Sequence, residues 1–237
     1  MISSDRYIRQ LPLIGVEGQR RLRDGSALIV GLGGLGSLAS MYLAGAGVGK
    51  LVLVDFDTIS ISDLHRQFLY TTGDIGKSKV EVAEKRLREI NPEVKVEAHQ
   101  MVFTRNEETE ELVASVDVVV LAVDNLKTRL DADELAVKRN KPVVNGGVDG
   151  WFGLVTTVIP GKTPRLAEIL NIRGLSSVSC AEGLCNSVIG PVAGIIASWQ
   201  ALETLRILAG LEPALAGKLL IIDSSRGIID VLPISRS

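Results

Sequence analysis

The stretch from Ala27 to Gly36, Ala-Leu-Ile-Val-Gly-Leu-Gly-Gly-Leu-Gly, constrains this chain more than any other. An apolar run that breaks into glycines, with small and apolar residues after them, reads as strand, tight loop and helix. Gly31, Gly33 and Gly36 fill a G-x-G-x-x-G frame. In such a frame the first glycine permits the turn, the second lets backbone approach a phosphate, and the third lets helix and strand pack closely. An anion would rest on the helix N-terminus, where unpaired N–H groups and the helix dipole favour negative charge. A second apolar run, Leu51 to Val54, closes on Asp55. That is about 20 positions past the last glycine, where a dinucleotide fold carries the carboxylate for ribose hydroxyls. A glycine-rich turn without a ligand is the alternative, and strand, glycines, helix and acid in this order weigh against it. The glycines alone leave NAD, FAD and ATP open.

A loop of this kind needs a buried parallel sheet behind it, and the composition supplies one. Mean hydropathy is +0.27 with only 4% aromatic residues, the signature of Val, Leu, Ile, Ala and Gly in strands covered on both faces. The fold class expected is α/β, a Rossmann-like, doubly wound, mostly parallel sheet with antiparallel C-terminal strands. At 237 residues one large domain is enough, able to bury about 70% of its unfolded surface. The net charge of −2, from 26 basic and 28 acidic residues, gives no basic footprint for nucleic acid and no polybasic anchor for a membrane. The N-terminus has no apolar signal core, and the most apolar long segment, Val188 to Gly210, carries Gln200, Glu203 and Arg206; a cytoplasmic protein is expected. Cys180 and Cys185 are the two cysteines, too few and too close for a disulfide scaffold, and no C-x-x-C points to structural zinc.

Taken in order, two short helices are expected over 4–24. Strand 26–31, helix 34–46 and strand 50–55 follow, and then a polar connection from Asp57 to Lys77. Connections beyond about 12–15 residues in a compact domain tend to be functional, which makes this one a place to look for chemistry. A helix is expected from Ser78 to Ile90, stopped at Asn91-Pro92, then a strand at 94–98 and a helix at 106–115. Asp117 to Val123 is a β-branched run suited to a central strand, and it ends at Asp124-Asn125. Helix 126–139 and strand 142–145 complete an alternation that implies right-handed crossovers and a parallel sheet. Beyond it the pattern changes to strands at 154–159, 219–223 and 227–232, with a long helix from Pro191 to Gly210, and these read as antiparallel additions.

Charged residues cluster just past strand ends, where open α/β sheets bind ligands. Ser62 to Gln67 holds Asp63, His65 and Arg66, and the following helix opens with Lys77-Ser78-Lys79. A dinucleotide needs no such set, because loop and dipole already hold a pyrophosphate. A triphosphate that loses pyrophosphate does need cations where charge develops. Arg66 and Lys79 are the candidates, with Asp124 as a magnesium carboxylate. Lys77 reads as a surface charge, Asp57 as a turn cap, and His65 as structural. No Walker A pattern is present, which weighs against a P-loop kinase or ATPase.

With these residues assembled, the chain resembles adenylyltransferases related to ubiquitin-activating enzymes, in particular the bacterial and archaeal enzymes that activate sulfur-carrier proteins for molybdopterin and thiamine synthesis. Arg6 to Gln10, Gly31 to Gly36, Asp55 to Asp57, Asp63 to Gln67, Gly76 to Lys79, Asp124-Asn125 and Ser179 to Gly183 carry the resemblance, in the family's order and over nearly the whole chain. It implies a single adenylation domain over 1–237, with N-terminal helices 4–24, a nucleotide-binding half 26–145 and a carrier-binding, crossover-loop half 146–237. It also implies that ATP and Mg2+ serve to adenylate the C-terminal Gly-Gly carboxylate of a ubiquitin-like carrier, releasing pyrophosphate. Gly31, Gly33, Gly34, Gly36, Asp55, Asp57, Asp63, Arg66, Gln67 and Lys79 would form the nucleotide site. Asp55 would hold the ribose, Arg66, Gln67 and Lys79 the phosphates, and Asp124 the metal. Arg9 would reach the neighbouring subunit's ATP in an obligate homodimer. Cys180, with Cys185 as the alternative match, resembles a family cysteine used for covalent sulfur chemistry.

Three departures from the family pattern stand out: the zinc-binding cysteines, Asp63, and a gap from Cys180 to Pro191 longer than is usual after the family's cysteine. The place of its first zinc-binding cysteine pair is held by Thr163 to Glu168, and the second pair is missing, so zinc is expected to be absent. Arg165 and Glu168 would form a surface ion pair there. Asp63 stands where an asparagine is usual and sets an anion beside a polyanion. Other readings are a relative that adenylates a small molecule or a modified tRNA base, a non-catalytic carrier-binding relative, and an NAD-dependent oxidoreductase. No hydride-transfer site is recognisable for the last.

Overall fold

The computed structural model describes residues 4–170 and 187–234. Two helices, α1 (Ser4–Tyr7) and α2 (Leu11–Asp24), precede β1 (Ser26–Val30), α3 (Gly36–Ala46) and β2 (Lys50–Asp55). Then come α4 (Lys79–Ile90), β3 (Lys95–Gln100), α5 (Glu107–Ala114), β4 (Val118–Leu121), α6 (Leu126–Lys138) and β5 (Val143–Asp149). The chain goes on through β6 (Phe152–Val158), α7 (Leu166–Leu170), α8 (Gly190–Leu208), β7 (Lys218–Asp223) and β8 (Ile228–Pro233). One eight-stranded sheet runs β3-β2-β1-β4-β5-β6-β7-β8. The strands β3, β2, β1, β4 and β5 pair in parallel, and β5 through β8 pair antiparallel. The doubly wound, mostly parallel α/β fold with antiparallel C-terminal strands is therefore present.

Apolar residues cover both faces of the sheet, as the continuous apolar runs require. Ile29, Leu51, Leu53, Val118 and Val120 pack against α3, α4 and α8. Leu28, Val30, Val52, Val119 and Leu121 pack on the other side against α5, α6 and α7. Each fully buried Leu, Ile or Val side chain contributes about 1.5–3 kcal/mol relative to exposure. Two polar side chains on α8 anchor it within this apolar layer. Gln200 Nε2 donates to the Leu121 carbonyl at 2.7 Å, and Glu203 accepts from Thr157 Oγ1 and from the Ala214 and Leu215 N–H groups at 2.6–2.9 Å. Among the described residues no helix is long and apolar enough to cross a membrane.

Three expectations need adjustment. Strand β5 runs on through Gly146 and Gly147 to Asp149, beyond the 142–145 read from the sequence. Gly146 is there because a Cβ would lie 2.4 Å from Gln200 Cδ, so the glycine marks a helix pressed on a strand rather than a turn. The short α7 has too few residues to show a period and was not anticipated. The Arg165–Glu168 ion pair is replaced by another arrangement. The Arg165 guanidinium pairs with Asp133 of α6 at 3.3 Å, while Glu168 accepts from the Arg165 backbone N–H at 3.2 Å. Asp133 is fully buried and also accepts from Leu166 N–H, so burial, which raises its pKa, gives it more to gain from Arg165 than exposed Glu168 has.

The sheet order reverses between β1 and β4, which opens a crevice at the carboxyl ends of the strands. The glycine loop fills the start of it. Gly31 has φ +90°, and its N–H donates to the Val54 carbonyl at 2.8 Å. At Gly36 a Cβ would stand 1.8 Å from the Gly31 carbonyl oxygen. Gly36→Ala is expected to displace the loop and lower unfolding free energy by about 3 kcal/mol, measured by urea denaturation, with a parallel loss of nucleotide binding.

Candidate active site

One cavity of 490 Å3 lies over the crevice, within the range of small-molecule sites. It gathers Gly31, Gly33, Gly34, Asp55, Asp57, Asp63, Arg66, Gln67, Lys79 and Asp124 from the sequence-based set. Gly36 lies behind the loop, where its packing against Gly31 shapes the turn. Arg9 is exposed in the turn between α1 and α2 and does not line the cavity. Cys180 and Cys185 lie outside the described residues.

The loop is held from two sides. Asp55, at the carboxyl end of β2, accepts from the Leu32 N–H at 2.6 Å and from the Asp57 N–H at 2.8 Å. Each carboxylate oxygen has a further lone pair for a hydroxyl of a bound sugar. Tyr70 donates its hydroxyl to the Leu32 carbonyl at 3.0 Å. Burial, with added repulsion from Asp55, Asp63 and Asp57, holds the Tyr70 phenol above its ordinary pKa, so the group remains a donor. Tyr70 was missed by sequence reasoning, and its signal is weak, an aromatic residue in a loop that contacts its partner 38 positions away.

The connection after β2 folds back on itself. It contains two short 3-10 helices, Ile61–Asp63 and Thr72–Asp74. It closes where the Lys79 N–H donates to the Asp57 carbonyl at 3.1 Å. This return brings the Lys79 side chain beside the end of β2, where it is only 5% exposed. Its Nζ lies 3.1 Å from Asp57 and 3.8 Å from Asp63. Arg66 donates to the Ser62 carbonyl at 2.8 Å and reaches Asp63 at 3.5 Å. Asp63 accepts from Ser60 N–H and Oγ and from Gln67 Nε2. His65 stands against the Arg66 guanidinium at 2.8 Å, and Lys77 pairs with Asp74, away from the cavity.

Across the cavity, Asn125 caps α6 by accepting from the Thr128 N–H at 2.8 Å. Among the described residues the carboxylate of neighbouring Asp124 makes no hydrogen bond or salt bridge. Arg129, also missed, spans the wall beneath it, donating to the carbonyls of Val123 and Gly146 and to Asn145 Oδ1. Desolvation pulls its guanidinium down to about 10 against the opposing pull of Asp124, and it stays a cation at neutral pH. Glycine backbone, a carboxylate for a sugar, the cations Arg66 and Lys79, and the Asp124 carboxylate at the far side suit a nucleotide with several phosphates.

Known proteins share both sequence and shape. A family model described as the ThiF family matches residues 5–237. The sulfur carrier protein ThiS adenylyltransferase of Escherichia coli is 38% identical over 222 residues, covering 92% of this chain and 86% of that protein. The sulfur carrier protein adenylyltransferase of Thermus thermophilus is 38% identical over 242 residues, covering 98% and 88%. The crystal structure of E. coli MccB with ATP superposes with a TM-score of 0.85 at 25% identity, over 100% of this chain and 72% of that one. With its glycine loop, its strand-end carboxylates and this match along nearly its whole length, the chain belongs to the ThiF family and is an adenylyltransferase.

Proposed function

We propose that this chain uses ATP to adenylate the C-terminal Gly-Gly carboxylate of a small ubiquitin-like sulfur-carrier protein. A carboxylate oxygen attacks the α-phosphorus, the bond between α- and β-phosphates breaks, and pyrophosphate leaves as the acyl-adenylate forms. The observation that carries the reading is the enclosure of Arg66 and Lys79 in the same cavity as Gly33 and Asp55. A dinucleotide pyrophosphate undergoes no charge build-up that would need them, whereas a departing pyrophosphate does. Sulfur-carrier substrates are named for the relatives from E. coli and T. thermophilus.

In this reading Asp55 accepts from the ribose hydroxyls, the Gly33 and Gly34 backbone lies along the phosphates, and Arg66, Gln67 and Lys79 hold them. The half 26–145 binds the nucleotide and the half 146–237 receives the carrier. Asp124 suits Mg2+, a hard cation that takes one or two carboxylates and fills its other positions with phosphate oxygens and water. The Asp124 carboxylate, which among the described residues makes no hydrogen bond or salt bridge, fits that donor set. Bound there, Mg2+ would neutralise phosphate charge. Arg9 completes the site of a second copy in a homodimer, which agrees with its exposure and its place outside its own cavity. ATP supply puts the reaction in the cytoplasm.

Exchange of labelled pyrophosphate into ATP tests the reading. Exchange is expected to depend on a carrier ending in Gly-Gly and to fall at least about 100-fold in Lys79→Ala, the loss of one charge-stabilising group. Exchange without any carrier would point to a small substrate, and none with any carrier would overturn adenylation of this class. A mixture of Arg9→Ala and Lys79→Ala chains, each inactive alone, is expected to regain about a quarter of parent activity, because half the dimers of a two-fold assembly keep one intact site. No recovery after subunit exchange would remove Arg9 from the partner's site.

A further inference from the structure

Among the described residues, the side chains lining the nucleotide cavity do not sum to a positive charge. Asp55, Asp57, Asp63 and Asp124 bring four carboxylates. Arg66, Lys79 and Arg129 bring three cations, which leaves the lining at −1. The helix dipole behind the glycine loop adds roughly +0.5. A bare triphosphate therefore meets no surplus of positive charge.

Among the four carboxylates Asp63 has a special place. The Asp57 side chain is 46% exposed and is screened by water, while that of Asp63 is 10% exposed. Its Oδ1 lies 3.5 Å from the Arg66 guanidinium and its Oδ2 lies 3.8 Å from Lys79 Nζ. Both cations placed to meet phosphate already face one enclosed carboxylate, and a phosphate must compete with it where screening is weak.

The state of Gln67 points the same way. Its Nε2 donates to Asp63 Oδ1 at 2.9 Å. A carboxylate only accepts, so the amide must turn its NH2 toward Asp63. Gln67 is 1% exposed, and among the described residues its Oε1 has no partner. Asp63 thus takes one of the two N–H donors of the Gln67 amide, and the Oε1 beside it is an acceptor, which a phosphate oxygen cannot use.

We infer that Asp63 makes nucleotide binding conditional on a divalent cation, by engaging Arg66, Lys79 and one N–H of the Gln67 amide against a bare polyanion while admitting the nucleotide as its metal complex. The inference rests on the adenylation reading, which supplies ATP as the ligand. An asparagine at this position would keep an acceptor for Ser60 N–H and offer an NH2 to Gln67 Oε1. The Gln67 amide could then turn its own NH2 toward phosphate, and the lining would become neutral.

Calorimetric titration of the whole chain with ATP in EDTA and with MgATP, for the parent and Asp63→Asn, tests this. The parent is expected to bind metal-free ATP at least about 30-fold more weakly than MgATP, and Asp63→Asn to bind metal-free ATP about ten-fold tighter than the parent with MgATP changed less than about three-fold. Equal weakening of both forms in Asp63→Asn would make Asp63 a strut only and overturn the inference, as would an unchanged metal-free affinity. The parent alone decides the case if the variant does not fold, since a metal-free affinity equal to that for MgATP is incompatible with it. A parent that binds neither form would overturn the adenylation reading and this inference together, whereas MgATP binding without the Asp63 effect leaves adenylation standing.

Discussion

The Asp55 carboxylate joins the end of β2 to the glycine loop and to the start of the long connection. It is nearly buried, and it accepts short hydrogen bonds from Leu32 and Asp57 N–H groups. A buried charge is costly unless it is bonded, and bonds from N–H groups to a carboxylate are stronger than neutral ones. Tyr70 takes hold of the Leu32 carbonyl from the other side. Both backbone polar groups of Leu32 are thus fixed, and the loop around it is held by the protein's own side chains.

From the same point the connection leaves and returns. Its return is what encloses Lys79, because a lysine at a helix start is ordinarily a surface charge. The Lys79 N–H bonds to the Asp57 carbonyl, and the side chain is drawn into the cavity against Asp57 and Asp63. Desolvating an ammonium is tolerable only with paired carboxylates nearby. The two acids that stabilise Lys79 in the free protein are therefore also the groups a phosphate must compete with. Stability of the empty site and affinity for a polyanion pull in opposite directions here.

Much of this was legible in the sequence, for a physical reason. Gly31, Gly36, Asp55 and Asp124 announce themselves because each is tied to a strand end, and strand ends follow from apolar runs such as Leu51 to Val54 and Val118 to Leu121. The parallel half of the sheet was readable in the same way. Tyr70 and Arg129 were not, because each bonds to backbone carbonyls, and any residue supplies a carbonyl. The strand expected at 142–145 stops short of Gly146, since the Gln200 side chain that excludes a Cβ there comes from a helix more than 50 positions later. Arg165 found Asp133 rather than Glu168 because burial, invisible in sequence spacing, decides which carboxylate most needs a partner.

The N-terminal helices are tied to the far end of the helix that begins at the glycine loop. Tyr7 is buried against the turn at Gly47, accepts from Asn91 Nδ2 at 2.9 Å and donates to Glu93 at 3.1 Å. Gln10 and Gln19 both donate to the Ala46 carbonyl at the end of α3, satisfying an acceptor that a helix terminus leaves open. These bonds fix the residues on either side of Arg9 while Arg9 itself faces outward. A side chain meant only for solvation needs no such foundation, since long exposed cations lose entropy when held in place. The same α3 that begins at the glycine loop ends under this turn. The position of Arg9 is thereby referred to the phosphate loop through one rigid helix, as it must be if a second copy of the chain presents it to the reacting phosphates.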